Sequence, residues 1–445
     1  MSFKRQCIIL FSATLTSTII AHSAFAESVT KNCLPYLSTA PDQTSMRAPK
    51  KTADQKNHTY VLPATPATTQ WGFFDTSHPP VLHIQSGDTV VIETMAASDN
   101  TVVPGGANID QIIKMSHEVP NRGPHTLTGP IYVNGAEPGD VLKIHINKII
   151  PRPYASNDIV PGKGLFPNIF THSVVKYFYL DLKNMTMQFA PGIVIPLGPF
   201  PGIIAVAPQI PGKYNSSPPG PFGGNMDLRE LKQGTTLYLP VFQKGALLWS
   251  GDSHAGQGNG EIDLTAIETA FAELSLTIDV VKNHPLTWPR IQTNSAWIAM
   301  GYDKDINKAL SITIDQSIKL IMDKDHATKS QAEKILFSSW NCPISEVVDG
   351  LNGTYCIIPN NKNAKPFPLP SKDTATNYVT VGKNTDLMEA MKIASMAMIN
   401  KISALKKMQP VDVYMLASLA MDCRIAPYHS GDKEVHCMLA KNLWV

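Results

Sequence analysis

Residues 129–146 read Gly129-Pro130-Ile131-Tyr132-Val133-Asn134-Gly135-Ala136-Glu137-Pro138-Gly139-Asp140-Val141-Leu142-Lys143-Ile144-His145-Ile146. Two β-prone runs flank a Glu-Pro-Gly-Asp turn, where Gly supplies the positive φ that other residues resist. The same grammar recurs. Val81–Gln85 and Thr89–Glu93 flank Ser86-Gly87-Asp88, and Gly234 precedes the run Thr235–Val241. Repeated strand–turn–strand units predict a β-sandwich or barrel-like region. Segments 151–173 and 191–224 are rich in Pro and Gly and are expected to be long ordered loops that shape a site. The 35 prolines suit short strands and fixed turns better than a helical bundle.

From about residue 303 the pattern becomes helical, with helices expected over 303–323, 328–340, 385–406 and 410–421. Residues 295–359 and 376–440 are related by a constant offset of 81 without a gap. Gly301 matches Gly382, Asp305 matches Asp386, Ala309 matches Ala390, Ile344 matches Ile425 and Gly350 matches Gly431. Both cysteine pairs keep the register, Cys342 with Cys423 and Cys356 with Cys437. The Asn/Lys/Pro-rich stretch 360–375 reads as a linker. The expected fold is α+β and β-dominated. A β-sandwich or barrel-like catalytic region over 27–294 precedes two tandem copies, 295–359 and 376–445, of a small strand–helical hairpin–β-hairpin unit.

Equivalent units are most simply stapled alike, which gives Cys342–Cys356 and Cys423–Cys437, with a cross-repeat pairing as the rival. Cys33 is then the odd thiol. None of these cysteines has zinc-finger spacing.

At the N-terminus, Lys4 and Arg5 precede an apolar stretch from Cys7 to Ala21 and a small-residue site, Ala24-Phe25-Ala26. That is the grammar of a signal peptide over 1–26, so a periplasmic or secreted protein is expected. Export permits disulfides. No later segment is long and apolar enough to span a membrane. Residues 1–26 hold no acid, so loss of Lys4 and Arg5 takes the formal charge from +2 to 0. A neutral chain without a basic run has no electrostatic footprint for nucleic acid. Charged residues are 17% and apolar ones 43%, a balance that favours a packed chain over a disordered one.

Chemistry concentrates in Gly251-Asp252-Ser253-His254-Ala255-Gly256-Gln257-Gly258-Asn259-Gly260-Glu261. Asp252 and His254 are two apart and share one face of a strand. Gly at every second position lets the chain bend sharply and return Glu261 towards them. Two carboxylates and an imidazole can bind a divalent metal or move protons. The competing reading is a solvated Gly-rich turn, which the apolar flanks Leu247-Leu248-Trp249 and Leu264–Ile267 disfavour. Gly223-Gly224-Asn225-Met226-Asp227 can place Asn225 and Asp227 on one face, although an Asx-type turn fits as well. A third cluster holds His125, Thr128, Asn134 and Glu137. There is no Gly-x-Ser-x-Gly elbow, no His-Glu-x-x-His, no P-loop and no dinucleotide fingerprint, which leaves acid/base or metal-assisted chemistry on a β-scaffold.

In order, the segments Leu127–Asp140, Gly223–Leu228, Leu239-Pro240-Val241, Gly251–Glu261 and Ala266-Ile267-Glu268 resemble the acetamidase/formamidase family. Gly382, Ala390, Leu416-Ala417-Ser418 and Asp422-Cys423-Arg424-Ile425 extend the resemblance to most of residues 60–440. It implies hydrolysis of short linear amides to ammonia and a carboxylate, a β-dominated fold, a divalent metal in some members, and dimers or larger assemblies. Here it implies Asp252, His254, Glu261 and His125 as ligands of zinc or calcium. Glu261, Asp227, Asn225 and Glu137 would be the catalytic groups, with Asn225 donating to a developing oxyanion. A homodimer acting on a small amide is expected. The chain departs from the family in carrying two C-terminal units and a signal peptide. The first unit has Trp340-Asn341-Cys342-Pro343 where the second keeps Asp422-Cys423-Arg424, so the first is expected to be structural. The rival functions are hydrolysis of a larger secondary amide and non-catalytic binding on an amidase scaffold.

Overall fold

The Glu137–Asp140 turn carries the chain from one β-sheet into another. The computed structural model describes residues 57–445 apart from 101–105, 107, 362, 429 and 430. The expected signal peptide, the polar leader 27–56 and Cys33 lie outside the described residues. Strand Thr126–Val133 belongs to an eleven-stranded sheet and strand Val141–Pro151 to an eight-stranded one. Leu82–Ile84 and Asp88–Ile92 divide in the same way, as do Thr236–Pro240 and Leu248–His254.

The first two crossings share a local device. Gly139 (φ 93°) precedes Asp140, whose carboxylate accepts the Glu137 N–H at 2.8 Å. Gly87 (φ 89°) precedes Asp88, which accepts the Gln85 N–H at 2.7 Å. The aspartate closes the turn, and glycine takes the left-handed backbone that the turn requires. Apolar side chains of both sheets meet in one core, including Ile84, Ile131 and Val133 from one and Val90, Ile92, Leu142 and Ile144 from the other.

The eight-stranded sheet runs Thr59–Leu62, Asp88–Ile92, Phe271–Val281, Val141–Pro151, Thr236–Pro240, Arg290–Gln292, Ala296–Asp303, Asn352–Pro359. The main path of the other runs Ile193–Pro196, Thr186–Ala190, Val174–Asp181, Tyr154–Ile159, Glu268–Thr269, Leu248–His254, Phe200–Ala205, Gly223–Asn225. Thr126–Val133 joins it beside Leu248–His254. The fold is therefore mostly β, and the sheets stay open rather than closing into a barrel.

One further expectation is corrected. Segments 151–173 and 191–224 are not simply loops, because they hold strands Tyr154–Ile159, Ile193–Pro196 and Phe200–Ala205. Residues 295–359 also join the preceding region through strand pairing. Ala296–Asp303 pairs with Arg290–Gln292, so two strands of this segment prolong the eight-stranded sheet.

The C-terminal elements follow the order strand, helix, helix, strand, strand twice. Ala296–Asp303, helix Ile306–Asp325 and Asn352–Pro359 stand 81 residues before Asn377–Asn384, helix Leu387–Lys406 and Lys433–Ala440. Asp305 and Asp386 cap the two long helices, which end in left-handed His326 and Lys407. Gly301 and Gly382 sit where helix crosses strand. A Cβ on Gly301 would lie 2.7 Å from Ala309 O, and one on Gly382 would lie 2.6 Å from Ala394 N. Lys329–Ser338 and Pro410–Ala420 are the second helices. Disulfides join Cys342 to Cys356 and Cys423 to Cys437. Cys342–Pro343 also pairs with Asp422–Ile425, so the first unit supplies a strand to the sheet of the second. Among the described residues, no helix is long and apolar enough to cross a membrane.

Candidate active site

Strand Leu248–His254 is buried along its whole length. One edge pairs with Phe200–Ala205. The other edge pairs first with Thr126–Val133, up to Gly251 opposite Leu127, and then with Glu268–Thr269, from Ser253 onward. Asp252 sits at that change of partner with φ 49°. The register on the other edge skips from Ile203↔Gly251 to Pro201↔Ser253, which leaves Gly202 facing Asp252. The absence of a side chain on Gly202 is what permits the site. A Cβ there would lie 2.8 Å from Asp227 Oδ1 and 3.0 Å from His254 Cε1, and closer still to Asp252 Oδ2.

Asp252 and His254 meet as their two-residue spacing predicts, with Asp252 Oδ1 3.2 Å from His254 Nε2. Glu268 lies opposite His254 across the strands and brings Oε1 to 3.4 Å from the same nitrogen. Asp227, at φ 46°, follows strand Gly223–Asn225 and places Oδ1 3.7 Å from His254 Nδ1. His254 Nδ1 also lies 3.0 Å from Gln257 Oε1. A proton on Nδ1 satisfies Gln257 and leaves Nε2 turned towards Asp252 and Glu268.

The Gly-rich segment does return Glu261, which adopts φ 50°. Ligand atoms of His254, Glu261 and Glu268 fall within 4.8 Å of one another, as do those of Asp227, Asp252 and His254, and of Asp227, Glu261 and Asp349. Asp349 comes from the first C-terminal unit, and Asn225 Nδ2 donates to its Oδ2 at 2.9 Å. Glu346, four residues beyond Cys342, is fully buried, and Gly260 forms a β-bridge with it. The first unit is therefore not only structural, because it delivers acids to the site.

The cluster carries more acid than its imidazoles can neutralise. Burial works against the Asp252 anion, yet His254 and His125 hold its pKa at about 2. Burial also opposes charge on His254, but Asp252 and Glu268 outweigh it and lift the imidazole well above its ordinary value. Burial, then the Asp252 charge, drives Asp227 far up. Burial and the charges of Asp227, Asp349, Glu268 and Asp252 do the same to Glu261. Asp349 is raised to about 6, chiefly by burial. Asp227 is 2% exposed, and neither of its carboxylate oxygens has a hydrogen-bond partner. His254 Nε2, on a ring 1% exposed, is not aligned for a hydrogen bond with either acid beside it. Unpaired buried acceptors of this kind are costly unless protons or a cation complete them.

The structure thus brings together Asp252, His254, Glu261, Asp227 and Asn225. His125 lies at the margin, with Nε2 3.8 Å from Asp252 Oδ1 and Nδ1 3.0 Å from Ser216 Oγ, and it belongs to none of the three ligand groups. The expected oxyanion donor Asn225 already gives one N–H to Asp349. Glu137 is not part of the cluster. It sits in the turn between the sheets, 48% exposed at its side chain, with Oε1 3.7 Å from Lys244 Nζ. Glu268, Asp349, Glu346, Gln257 and Gly202 escaped the residue-level reading. Glu268 had a signal, since it ends the segment Ala266-Ile267-Glu268. Asp349 had none, because it reaches the site from a distant unit.

A family model described as the Acetamidase/Formamidase family matches residues 69–217 and 213–427. The acetamidase of Mycolicibacterium smegmatis is 25% identical over 218 residues, covering 36% of this chain and 54% of that protein. The chain thus spans about half the length of that curated relative. Among solved structures, the acetamidase of Bacillus halodurans shares 28% identity with a TM-score of 0.61, over 67% of this chain and 97% of that one. The acetamidase of Yersinia enterocolitica shares 27% with a TM-score of 0.63, over 70% and 95%. With the family model matched across both sheets and every residue of the cluster, the chain belongs to the acetamidase/formamidase family.

Proposed function

We propose that the protein hydrolyses short linear amides, of the formamide or acetamide kind, to ammonia and a carboxylate. The observation that carries this reading is the convergence of Asp227, Asp252, Glu261 and Glu268 on His254, with the Asp227 oxygens and His254 Nε2 left without hydrogen-bond partners. A divalent cation, zinc or calcium, fits that donor set of carboxylate oxygens and one imidazole nitrogen. Asp227, Asp252 and His254 would hold it, and Glu261, which groups with His254 and with Asp227, would border it. Such an ion supplies Lewis acidity towards the amide carbonyl and a more acidic water.

The remaining work falls to the chain's own residues. Gln257 fixes the His254 ring through Nδ1, and His125 stands behind the Asp252 anion. As a water oxygen adds to the carbonyl carbon, a carboxylate of the cluster takes the water proton. Glu261, which burial and then its acidic neighbours keep protonated, carries a proton to the leaving nitrogen as the carbon–nitrogen bond breaks. Burial of Asp227, Asp252, His254, Glu261 and Glu268 excludes bulk water and strengthens these interactions. The test is ammonia release from a panel of short amides before and after chelation and re-addition of zinc or calcium. No release from any amide under any of these conditions refutes the reading.

The protein is further read as exported to the periplasm or beyond. The grammar of residues 4–26 and two disulfides support this. Mass spectrometry of the exported protein should find Glu27 first. Residues 295–359 and 376–445 are read as tandem copies of one unit, supported by the common offset of helices, strands, caps and disulfides.

A further inference from the structure

Asn259 makes more ties between segments than any catalytic role requires. Its Nδ2 donates to Ile344 O at 2.6 Å and lies 3.4 Å from the Tyr355 hydroxyl. Its Oδ1 accepts the Cys423 N–H at 3.1 Å. Ile344 and Tyr355 belong to the first C-terminal unit and Cys423 to the second. The backbone repeats the pattern. Gly258 and Asn259 donate to Ser418 O and Met421 O, each at 2.7 Å, and Gly260 donates to Ser345 O at 2.9 Å. Val347 N–H returns to Gly260 O at 3.1 Å. Space is as tight as the bonding, since a Cβ on Gly258 would lie 2.8 Å from Met421 N. Residues 258–260 are thus gripped by both units, and the next residue is Glu261. Yet the second unit gives no side chain to any of the ligand groups found among the described residues.

Resting on the amide-hydrolase reading of the cluster, we propose that Asn259 is a positioning residue for Glu261. Its side-chain amide ties the Glu261 loop to both C-terminal units, so the second unit sets the geometry of a site to which it adds no side chain. A buried acid in a left-handed backbone, crowded by other acids, has little reason to stay there unaided. Removing the amide frees the loop and lets Glu261 relax away from Asp227 and Glu268.

The test is a double-mutant cycle in the full-length protein with Asn259→Ala, Glu261→Gln and both together, read as ammonia-release kinetics and as zinc affinity by calorimetry. Asn259→Ala should lower kcat about tenfold or more while KM moves less than about twofold. The double variant should be no worse than Glu261→Gln alone in kcat and in zinc affinity. Losses that multiply in the double variant would overturn the proposal, because Asn259 would then act independently of Glu261. Trp340→Phe is the control. It removes the Trp340 Nε1 bond to Ile425 O, 2.7 Å, which also links the two units. It should lower stability and leave kcat near wild type. An equal kcat loss there would reduce Asn259 to general packing. Should Asn259→Ala fail to fold, Asn259→Ser and the isosteric Asn259→Asp enter the same cycle. Wild-type protein that binds zinc but releases no ammonia refutes the amide reading and leaves Asn259 to be judged by the zinc cycle. Protein that does neither overturns both.

Discussion

Asp252 Oδ1 and His254 Nε2 lie 3.2 Å apart on one strand, facing the bare backbone of Gly202. The pair depends on an irregularity. Asp252 takes a left-handed φ of 49° where its strand changes partner, and Gly202 leaves room for the carboxylate that results.

That relationship makes Gly202→Ala a sharp probe. The new methyl would press on Asp227, Asp252 and His254 together, at 2.8 Å from the first. Denaturant titration should show a loss of about 1–3 kcal/mol, the usual cost of overpacking. Zinc affinity should fall by about tenfold or more. Unchanged zinc affinity in the folded variant would show that the three side chains do not converge there.

Removing acid should trade function for stability. Asp227→Asn removes an acid whose ionisation burial and then the Asp252 charge oppose, and whose oxygens no hydrogen bond satisfies. In chelated protein at pH 8, this variant should melt higher than wild type, while kcat drops by about a hundredfold or more. A variant that melts lower and works normally would reverse the assignment.

Asp158, near Glu268 but in none of the ligand groups, supplies a pH test. Burial, then the Glu268 charge, raises its pKa to about 7. The folded chain therefore keeps a proton that the unfolded chain has released between about pH 4 and 7. Stability is full below that window and declines as pH rises through it, by an amount on the order of 4 kcal/mol. Urea titrations of chelated protein at pH 5 and pH 8 should show wild type weaker at pH 8. Asp158→Asn should narrow the gap, and an unchanged gap would exclude Asp158 as its source.

Each disulfide closes a loop of about 15 residues, for which loop-closure entropy predicts about 3 kcal/mol. Reduction should lower the melting temperature. Non-reducing peptide mapping should recover only Cys342–Cys356 and Cys423–Cys437 among these four cysteines. A Cys342–Cys423 peptide would contradict the fold of both units.

The sequence carried what local rules govern. Gly-Asp turns announced the strand–turn–strand units at Asp88 and Asp140, though not that the two strands of each enter different sheets, and the offset between the C-terminal segments announced their shared order and cysteine pairs. Asp252, His254 and Glu261 were legible because strand spacing and alternating glycines are local facts. What was not legible depends on partners far away in the chain. Pro201-Gly202 looked like loop, yet Gly202 lies in a buried strand because it must face Asp252. Glu137 looked like a site residue because it shares a motif with His125, but the turn that holds it faces solvent and Lys244. Asp349 gave no signal, since only the tertiary fold brings the first C-terminal unit to Asn225 and Asp227.

The most direct measurement is ammonia release from formamide and acetamide by wild type and Glu261→Gln, each chelated and then reloaded with zinc or calcium. Wild type should lose activity on chelation and regain it on reloading, and Glu261→Gln should stay at least about a hundredfold slower when loaded. Equal rates for the two proteins, or no ammonia from either amide in any metal state, would contradict a hydrolytic centre at Asp227, Asp252, His254 and Glu261.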